Sequence, residues 1–359
     1  MNNSKEKIIF IILPKNDSRF KNDSSPIKGA IALANYLSKF ITVKIIFLDN
    51  SKITSPIDKK IKVHKVKGNF LFKFFYLKKM FIKYRKFKIC TLSFCLSADL
   101  INILIKPYVT SVSTSVRGDL VKSYYSNYGT IGFFVAKFHY FLISRFDKIF
   151  SMHRQMYVQI KSLTNRKSLI AGNFIDEKFH SRFFKKKKEF FNKIIYMGNL
   201  DKNKNPLLLI RGFIKLIKTH PKVELIILGD GPLKSKILEI KKKNNLKNLK
   251  ILGFIKNPIK YLINSDLLVC TSISEGISRS VLEALFYGVP VVTSNVNGSR
   301  DLIKNYVNGF VFNNENIFLS NSKKVLIWSS NLSKERKCLL PSNFRQKNVS
   351  NIYLKNLIH

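Results

Sequence analysis

The chain alternates short apolar runs with longer stretches whose apolar residues recur at helical spacing, an order typical of parallel α/β sheets. The strands predicted in the first half are Lys7–Leu13, Thr42–Leu48, Ile61–Val66, Ile89–Phe94, Tyr108–Val116 and Lys148–Ser151. Those predicted in the second half are Lys193–Met197, Glu224–Leu228, Lys250–Leu252, Leu267–Cys270 and Val289–Thr293. Ile27–Phe40 is predicted to be a helix after the first strand. Two similar halves predict two Rossmann-like parallel-sheet domains.

The length of 359 residues suits two domains of ordinary size. We place the N-terminal domain at residues 1–185 and the C-terminal domain at residues 186–335. The lysine run Lys185–Lys188 is interpreted as a solvated linker between them. Residues 336–359 form a polar tail, and the sequence leaves open whether this tail crosses back to the N-terminal domain.

Candidate chemistry follows the strand Leu267–Cys270, where a polar turn leads into a helix predicted to begin near Ser278 or Ser280. A helix that begins just after a strand directs free backbone N–H groups and its positive dipole end at whatever lies above the strand. This is a favourable place for a pyrophosphate, and Gly276 would let the backbone approach it closely.

Two carboxylates, Glu275 and Glu283, flank this helix start and lie eight residues apart. At helical rise they could be separated by up to roughly 12 Å, enough for one to reach a sugar and the other a ribose. Ionised Glu only accepts hydrogen bonds, and sugar diols offer paired O–H donors. Taken alone, these carboxylates favour a plainer interpretation, in which each is a solvated surface residue or, for Glu283, a residue favoured by the helix dipole.

The segment of about residues 190–315 resembles the retaining glycosyltransferase family 4, which has the two-domain GT-B fold. The resemblance rests on the Glu-x7-Glu pair Glu275 and Glu283 together with other elements in the family's order. These are Tyr196–Leu200, Lys204–Pro206, Ile226–Pro232, Ile251–Gly253, Gly288–Val292, Asn297–Gly298 and Asn308–Phe310. It implies an α/β GT-B protein with two Rossmann-like parallel-sheet domains facing a central cleft.

The resemblance also implies an activity: a sugar moves from a nucleotide diphosphate sugar, with UDP favoured, to a saccharide hydroxyl, with retention and without a metal or other cofactor. Glu275 and Lys204 would be the catalytic residues, contacting the donor sugar and the diphosphate respectively. Further donor contacts would come from Glu283 on the ribose and from the backbone of Gly276 and Ile277. The helix start at Ser278 and Arg279 would face the diphosphate.

One position departs from the family pattern, because Asn199 stands where the family usually has Arg. Asn can donate a hydrogen bond but cannot supply a bidentate cationic fork, so Lys204 is left without its usual cationic neighbour. Arg279 or Arg300 could take its place, although either could instead be a surface or structural Arg. We expect Asn199 to lie at the donor site.

The formal net charge of +43 favours anionic partners: a membrane surface, a polyanionic substrate or nucleic acid. Compositional drift toward Lys is a further explanation. The four cysteines have no metal-binding or disulfide spacing, and no His/Cys/Asp cluster predicts a metal. The apolar runs are too short to span a bilayer, and we expect a cytoplasmic protein without a secretory signal.

The segment Phe70–Lys88 carries Phe70, Phe74, Leu77, Phe81 and Tyr84 at helical spacing among seven Lys and Arg residues. Such a helix suits an anionic membrane interface, but it equally suits an ordinary core helix, and both interpretations stay open. The membrane interpretation favours a lipid-linked saccharide acceptor at the inner face of the cell membrane. This is the setting of surface polysaccharide (O-antigen, lipopolysaccharide or capsule) assembly.

Two alternative functions remain at this point. One is a nucleotide-sugar epimerase of the same fold, and the other is a basic nucleic-acid-binding protein supported by charge alone. In the N-terminal half, Arg117 and Asp119 follow a predicted strand and could contact substrate or form a local turn. His139 and His153 are interpreted as structural histidines. The oligomeric state cannot be predicted.

Overall fold

The computed structural model describes residues 6–14, 24–50, 53–185, 190, 192–331 and 335–358. It divides into two compact units. Unit 1 comprises Met1–Asp176 with Gln346–His359, and unit 2 comprises Glu177–Arg345. Within the described ranges, no helix is long and apolar enough to cross a membrane.

Unit 1 contains a parallel sheet of seven strands with helices between them. Its elements are β1 Lys7–Leu13, α1 Ser25–Leu37, β2 Thr42–Phe47, β3 Lys62–Lys65, α2 Phe70–Lys83, β4 Lys88–Ser93, α3 Leu96–Leu104, β5 Ser111–Ser115, α4 Leu120–Tyr128, α5 Thr130–Ser144, β6 Lys148–Ser151, α6 Arg154–Thr164 and β7 Leu169–Ile170. The strand order is β3-β2-β1-β4-β5-β6-β7. The central strand β1 is an unbroken apolar run, as a strand covered on both faces requires.

Unit 2 contains a second parallel sheet of six strands, in the order β10-β9-β8-β11-β12-β13. Its elements are α7 Glu177–Ser181, β8 Lys193–Met197, α8 Pro206–Thr219, β9 Glu224–Leu228, α9 Lys234–Lys243, β10 Leu249–Gly253, α10 Ile259–Leu262, β11 Leu267–Cys270, α11 Arg279–Phe286, β12 Val291–Ser294, α12 Asn297–Leu302, β13 Gly309–Phe312 and α13 Glu315–Asn331. One further helix, α14 Gln346–Ile358, belongs to unit 1.

The two faces of the unit 1 sheet have separate cores. One face carries Ile9 and Ile11 beneath α1 and α14. The other carries Ile8, Phe10 and Ile12 beneath α2 and α3. This division follows from the period of two along β1, which sends alternate side chains to opposite faces. Unit 2 has its own apolar core, built from strands β8, β9 and β11 with α8 and α13.

The C-terminal helix α14 is anchored on unit 1. The Tyr353 ring stacks on Phe150, with the ring centroids 4.3 Å apart, and its hydroxyl lies 2.8 Å from Ser115 Oγ. Tyr36 of α1 donates to Asn351 Oδ1 (2.9 Å). The sequence left the course of this tail open, and these contacts place α14, Gln346–Ile358, with the first sheet.

The two domain boundaries differ from those predicted. Unit 2 begins at Glu177, nine residues before the predicted boundary at 185/186, and ends at Arg345, ten residues after residue 335. The reason is local: Arg345 pairs with Glu177 (2.7 Å), and His180 bonds the Tyr287 hydroxyl (2.8 Å), so both ends are tied to unit 2. Residues 186–188 of the predicted lysine linker lie outside the described residues.

The predicted fold class of two parallel-sheet α/β domains is confirmed. All eleven predicted strands are present, and their ends lie within three residues of the predicted ones. The strands β7 and β13 were not predicted. The helix predicted at Ile27–Phe40 occupies Ser25–Leu37 instead, because Pro26 fits the first turn of a helix.

Candidate active site

The strand order of unit 2 creates a switch point between β8 and β11. From β8 the chain continues to β9 on one side, whereas from β11 it continues to β12 on the other. The chain therefore leads away from β8 and β11 in opposite directions, and a crevice is expected above the carboxyl ends of the two strands. Ligands of open α/β sheets bind at such a point. Most candidate residues of the sequence analysis lie on these two loops, 198–205 and 271–278, and Arg279 and Glu283 lie on the helix that follows the second loop.

The two loops are held together by hydrogen bonds. Ile273 N donates to Asn203 O (2.7 Å), and Asn203 Nδ2 donates to Ser274 O (3.0 Å). Thr271 Oγ1 donates to Lys204 O (2.9 Å). Backbone carbonyls and amides thus fix one loop against the other, and the side chains of both loops keep one relative position.

At the end of this contact, Lys204 Nζ forms an ion pair with Glu275 Oε1. Burial alone would lower the pKa of Lys204, but the Glu275 carboxylate, with Cys270 and Asp201 nearby, raises it above its ordinary value. Lys204 is therefore a cation at neutral pH. The two predicted catalytic residues lie in direct contact, although 71 positions separate them in the chain.

Cys270, the last residue of β11, lies beneath the pair and donates to Glu275 Oε2 (3.4 Å). Burial and then the neighbouring carboxylate raise the pKa of this thiol to about 11, so that it stays protonated. A protonated thiol can donate a hydrogen bond to a carboxylate. Cys270 thus helps to hold Glu275 in place, a role that the sequence analysis did not predict.

A small pocket lies beside Glu275. Gly276 and Ser278 line it from one side, and Thr293, Gly298 and Ser299 line it from the other. Apolar walls come from Val281, Val296 and Leu302. The pocket lies next to the beginning of α11, so that the Glu275 carboxylate and the first N–H groups of a helix flank the same space.

Helix α11 begins at Arg279, as the sequence predicted, with Ser278 as its N-cap residue in extended backbone geometry. Within the described residues, Ser278 makes no capping hydrogen bond, and its hydroxyl lies 3.0 Å from Ser280 Oγ. The first turn of α11 therefore has no side-chain cap at Ser278. Such a helix start favours an anionic group. Ile277, in the preceding loop, is buried.

Glu283 lies one turn into α11 and is mostly buried. Its Oε1 lies 3.9 Å from Arg279 Nη2 and 3.9 Å from His180 Nε2. The two predicted donor-site carboxylates thus have different surroundings, with Glu275 held by Lys204 and Glu283 facing Arg279 and His180. His180 comes from α7 and was not among the predicted residues, because no motif of the sequence singles it out.

Asn199 is exposed at the tip of the loop after β8, and its carbonyl accepts from the Tyr196 hydroxyl (2.9 Å). The alternative cation Arg300 is also exposed, and its Nε donates to Asn295 Oδ1 (2.7 Å) after β12. Arg279, by contrast, is mostly buried on α11. Of the two substitutes considered for the absent family Arg, Arg279 lies at the helix start beside the pocket.

Two glycines allow a neighbouring segment to approach each site loop closely, Gly298 the loop after β11 and Gly229 the loop after β8. A Cβ added at Gly298 would lie 1.3 Å from Gly276 O, and one added at Gly229 would lie 1.8 Å from Gly198 O. No side chain can occupy either position while the backbone stays in place. The glycines of the family-like motifs are thus explained by close approach of two backbones.

The polar candidates of unit 1 have structural roles. Asp119 caps α4 by accepting from Lys122 N (3.1 Å), which favours the local-turn interpretation. Arg117 lies over the Phe94 ring and donates to Asn173 Oδ1 (3.3 Å). His139 Nε2 lies 2.7 Å from the buried Asp99.

His153 is the N-cap of α6, where its Nδ1 accepts from Met156 N (3.2 Å). Across the described part of the chain, no group of three or more His, Cys, Asp and Glu residues is arranged to hold a metal ion.

Sequence reasoning missed the residues that position the site. Asp201 accepts from Lys204 N (2.8 Å) and turns the loop into α8, and Asn205 follows in left-handed geometry (φ 48°) before Pro206. Asn203 and Thr271 join the two loops. A polar residue directly after a buried strand was the available signal for Thr271, but nothing local pairs it with residue 204.

Comparison with known proteins agrees with this geometry. Residues 177–333 match a family model described as "Glycosyl transferases group 1". An uncharacterized glycosyltransferase of Methanocaldococcus jannaschii is 35% identical over 156 residues, which cover 40% of this chain and 37% of that protein.

A second relative is the N-acetylgalactosamine-N,N'-diacetylbacillosaminyl-diphospho-undecaprenol 4-alpha-N-acetylgalactosaminyltransferase of Campylobacter jejuni. It is 36% identical over 137 residues, which cover 37% of each chain. The similarity to these curated relatives thus spans well under two thirds of their length.

Among solved structures, Anabaena HepE in complex with UDP and glucose has a TM-score of 0.72 at 16% identity. This similarity covers 98% of this chain and 99% of that one, and at such low identity it shows the fold alone. The fold therefore extends over both units, whereas the sequence similarity concentrates on the second. On this evidence the part of the chain from residue 177 to residue 333 is similar to the group 1 glycosyltransferases.

Proposed function

We propose that the protein is a glycosyltransferase that moves a sugar from a nucleotide diphosphate sugar to a hydroxyl group of a lipid-linked saccharide. The observation that carries the proposal is the Lys204–Glu275 pair, held beside the beginning of α11 by the bonds between two loops. The pair brings a cation to a carboxylate that lines the pocket beside the beginning of α11. A diphosphate sugar needs a cation for its phosphates and hydrogen-bond acceptors for its hydroxyls.

The proposed roles of the site residues follow from their charges. When the bond between the sugar C1 and the diphosphate oxygen breaks, negative charge builds up on the departing diphosphate. Lys204, Arg279 and the beginning of α11 are proposed to stabilise that charge, which is supported by the Lys204–Glu275 pair and by the position of Arg279 at the helix start. We therefore expect the reaction to need no metal ion. Glu275, as an acceptor of hydrogen bonds, would orient the hydroxyls of the donor sugar.

We nominate no protein side chain as the general base. The new bond joins C1 to the acceptor oxygen, and the acceptor proton passes to the departing phosphate oxygen on the same face of the sugar. This scheme gives retention of the anomeric configuration. Glu283 is proposed to bind the ribose diol, and the backbone of Gly276 and Ile277 to bind the sugar.

The nature of the donor and acceptor rests on similarity. The Campylobacter jejuni relative is named for a diphospho-undecaprenol acceptor, and the Anabaena structure contains UDP. We therefore propose a UDP-hexose or UDP-N-acetylhexosamine donor, an acceptor linked to a polyprenyl diphosphate, and a place at the cytoplasmic face of the cell membrane. Surface polysaccharide assembly is the corresponding process.

A product assay tests the proposal. Purified protein is incubated with UDP-sugars and a polyprenyl-diphosphate-linked saccharide, with and without EDTA, and the product is analysed by mass spectrometry and NMR. We expect an acceptor heavier by one sugar, an α linkage from an α-linked donor, and no loss of activity in EDTA. Isomerised donor in the absence of acceptor would instead support the epimerase alternative, and an inverted linkage would contradict retention.

A further inference from the structure

The helices on one face of the unit 1 sheet form a continuous layer. Leu77 and Phe81 of α2 pack with Ala98 and Ile101 of α3 in the core cluster that contains Phe10 of β1. Helix α5 continues the layer, because it packs on α3 and its His139 bonds the buried Asp99. Helices α4 and α6 pack in turn against α5. The outer sides of these helices therefore belong to one surface.

Helix α5 is apolar on its outer side as well as on its inner side. Its inner side, with Ala136, Tyr140 and Ile143, is buried. Its outer side carries Ile131, Phe134, Phe138 and Phe141, spaced three, four and three residues apart, with exposed fractions of 69%, 69%, 47% and 53%. A helix that is apolar all round normally lies in a core or in a membrane. The outer side of α5 thus needs a partner that removes it from water.

The exposed aromatic side chains of the protein are concentrated on this layer. Of the 14 exposed Phe and Tyr side chains among the described residues, ten lie on α2, α4 and α5. They are Phe70, Phe72, Phe75, Tyr76, Tyr125, Tyr128, Phe133, Phe134, Phe138 and Phe141. Scattered single apolar residues are ordinary on a surface, but a concentration of this kind marks an interaction site.

Positive charge surrounds these rings. Residues 70–167, which include the whole layer, contain 17 Lys and Arg residues against three Asp and no Glu. Of the three Asp residues, Asp99 is buried and Asp147 is paired with Lys106 (2.6 Å). Lys137 lies over the Phe133 ring (4.6 Å) and Arg145 over the Phe141 ring (4.8 Å), so the cations stand next to the exposed aromatics.

We propose that the outer surface of this layer, centred on the α5 side with Ile131, Phe134, Phe138 and Phe141, docks on a bilayer that contains anionic lipid. Phe side chains enter the boundary between headgroups and acyl chains, while Lys and Arg remain among the anionic headgroups. The surface is the outside of several helices. A lipid surface fits it because it satisfies both the apolar rings and the excess positive charge.

This inference deepens the proposed function and rests on it for its purpose, since an enzyme with a lipid-linked acceptor must meet that acceptor at the membrane. The surface itself can be tested without any transfer reaction. Vesicle flotation is compared for three proteins. These are the wild type, the double variant Phe134→Ser/Phe138→Ser, and the control Phe40→Ser/Phe254→Ser. One set of vesicles contains phosphatidylcholine alone, and the other contains phosphatidylcholine with about 30% phosphatidylglycerol, an anionic lipid.

The control is matched, because Phe40 and Phe254 are exposed to similar extents (59% and 54%) but lie outside the layer. We expect the wild type and the control to bind the anionic vesicles and to bind pure phosphatidylcholine weakly. The Phe134→Ser/Phe138→Ser variant should have a vesicle partition coefficient lower by about tenfold or more, because it lacks two rings that would be buried in the bilayer. Equal binding by all three proteins, or no binding by the wild type, would overturn the proposal.

A second measurement does not depend on loss of binding. Trp introduced by Phe134→Trp, in a Trp328→Phe background, should shift its emission to the blue with anionic vesicles and be quenched by brominated acyl chains. Trp introduced by Phe254→Trp should show neither effect. An unshifted Trp at position 134 would contradict insertion. The proposal would also be contradicted if the wild type does not bind vesicles but forms a lipid-free dimer or a DNA complex that is lost in the Phe134→Ser/Phe138→Ser variant.

Failure of the proposed function would look different. If the wild type binds anionic vesicles through α5 but transfers no sugar to any acceptor, the docking surface stands and the transferase proposal fails. If transfer to a soluble acceptor analogue proceeds equally in the wild type and in Phe134→Ser/Phe138→Ser, while vesicle binding is equal too, the transferase proposal stands and the surface is wrong.

Discussion

The two units of the protein are similarly basic but present different surfaces. Unit 1 contains 33 Lys and Arg residues against nine Asp and Glu, and unit 2 contains 31 against 12. Among the described residues, however, unit 1 exposes 11 aromatic side chains and unit 2 exposes three. Charge is therefore spread over the whole chain, and exposed aromatics distinguish one unit from the other. A membrane-binding argument built on net charge alone would not have located the surface.

The units also differ at the carboxyl ends of their strands. In unit 2 the loops after β8 and β11 carry an ion pair and a pocket beside a helix start. In unit 1 the polar residues after β5 serve the fold, with Asp119 capping α4 and Arg117 lying over Phe94. The candidate site of unit 2 thus lies at the ends of its strands, whereas the proposed docking surface of unit 1 lies on the outer sides of its helices.

The largest expected effect is a difference in the free energy of unfolding between substitutions on the two faces of α2. Phe81 is fully buried against Phe10, whereas Phe75 is exposed. We expect Phe81→Ala to lower the free energy of unfolding by about 3–5 kcal/mol, because it leaves a cavity. Phe75→Ala should change it by no more than about 0.5 kcal/mol. Urea denaturation in the absence of lipid measures both, and equal losses would contradict the assignment of the two faces.

A second prediction concerns the cation of the donor site. Lys204→Ala removes the charge that faces Glu275 and should lower kcat/KM by about 10²–10³-fold, as loss of an electrostatic contact to the transition state does. Lys202→Ala, an exposed lysine of the same loop, should leave the rate unchanged and serves as the control. Steady-state kinetics with saturating acceptor separates them, and equal rates for the two variants would remove Lys204 from the site.

A third prediction concerns the approach of two loops. A Cβ at Gly298 would collide with Gly276 O, so Gly298→Ala should lower the free energy of unfolding by about 1–3 kcal/mol and weaken nucleotide binding. At Gly118 no atom lies within 4 Å of an added Cβ, and Gly118→Ala should have little effect on either quantity. Thermal unfolding with and without nucleotide measures both. Undiminished binding by Gly298→Ala would mean that this contact is not part of the site.

The smallest expected effect is a gain in apparent affinity for the donor. Asn199→Arg places a second cation at the tip of the β8 loop and should lower KM for the donor by roughly three- to tenfold, since charge-assisted bonds are offset by lost side-chain freedom. Asn244→Arg adds the same charge at the end of α9 and should not change KM. If both variants lower KM equally, the effect is one of net charge rather than of position.

The sequence predicted the elements around the candidate site of unit 2 because their signals are local. The strand Leu267–Cys270 and the helix start at Ser278 were both confirmed, since a buried run followed by a polar turn and periodic apolar residues leaves little choice. The contact between Lys204 and Glu275 could not be derived from spacing, because it depends on the order of β8 and β11 in the sheet.

Unit 1 shows where such reasoning ends. The strand predicted at Tyr108–Val116 begins only at Ser111, because Pro107 favours a tight 3₁₀ turn at Lys106–Tyr108. The stripe predicted on Phe70–Lys88 is mainly a core face, since Leu77 and Phe81 are buried, although Phe70 is exposed. A helix with apolar residues on both sides, such as α5, shows no contrast between its faces, so periodicity could not reveal its exposed side.

The measurement that tests the central claim most directly is thermal-shift binding of UDP, GDP and ADP in parallel. It compares the wild type with Lys204→Ala, Glu283→Ala and the Lys202→Ala control. We predict that UDP raises the melting temperature of the wild type and of Lys202→Ala, and that this rise is lost in the other two variants. If no nucleotide stabilises the wild type, or if all four proteins respond alike, the two loops of unit 2 do not form a nucleotide-sugar site.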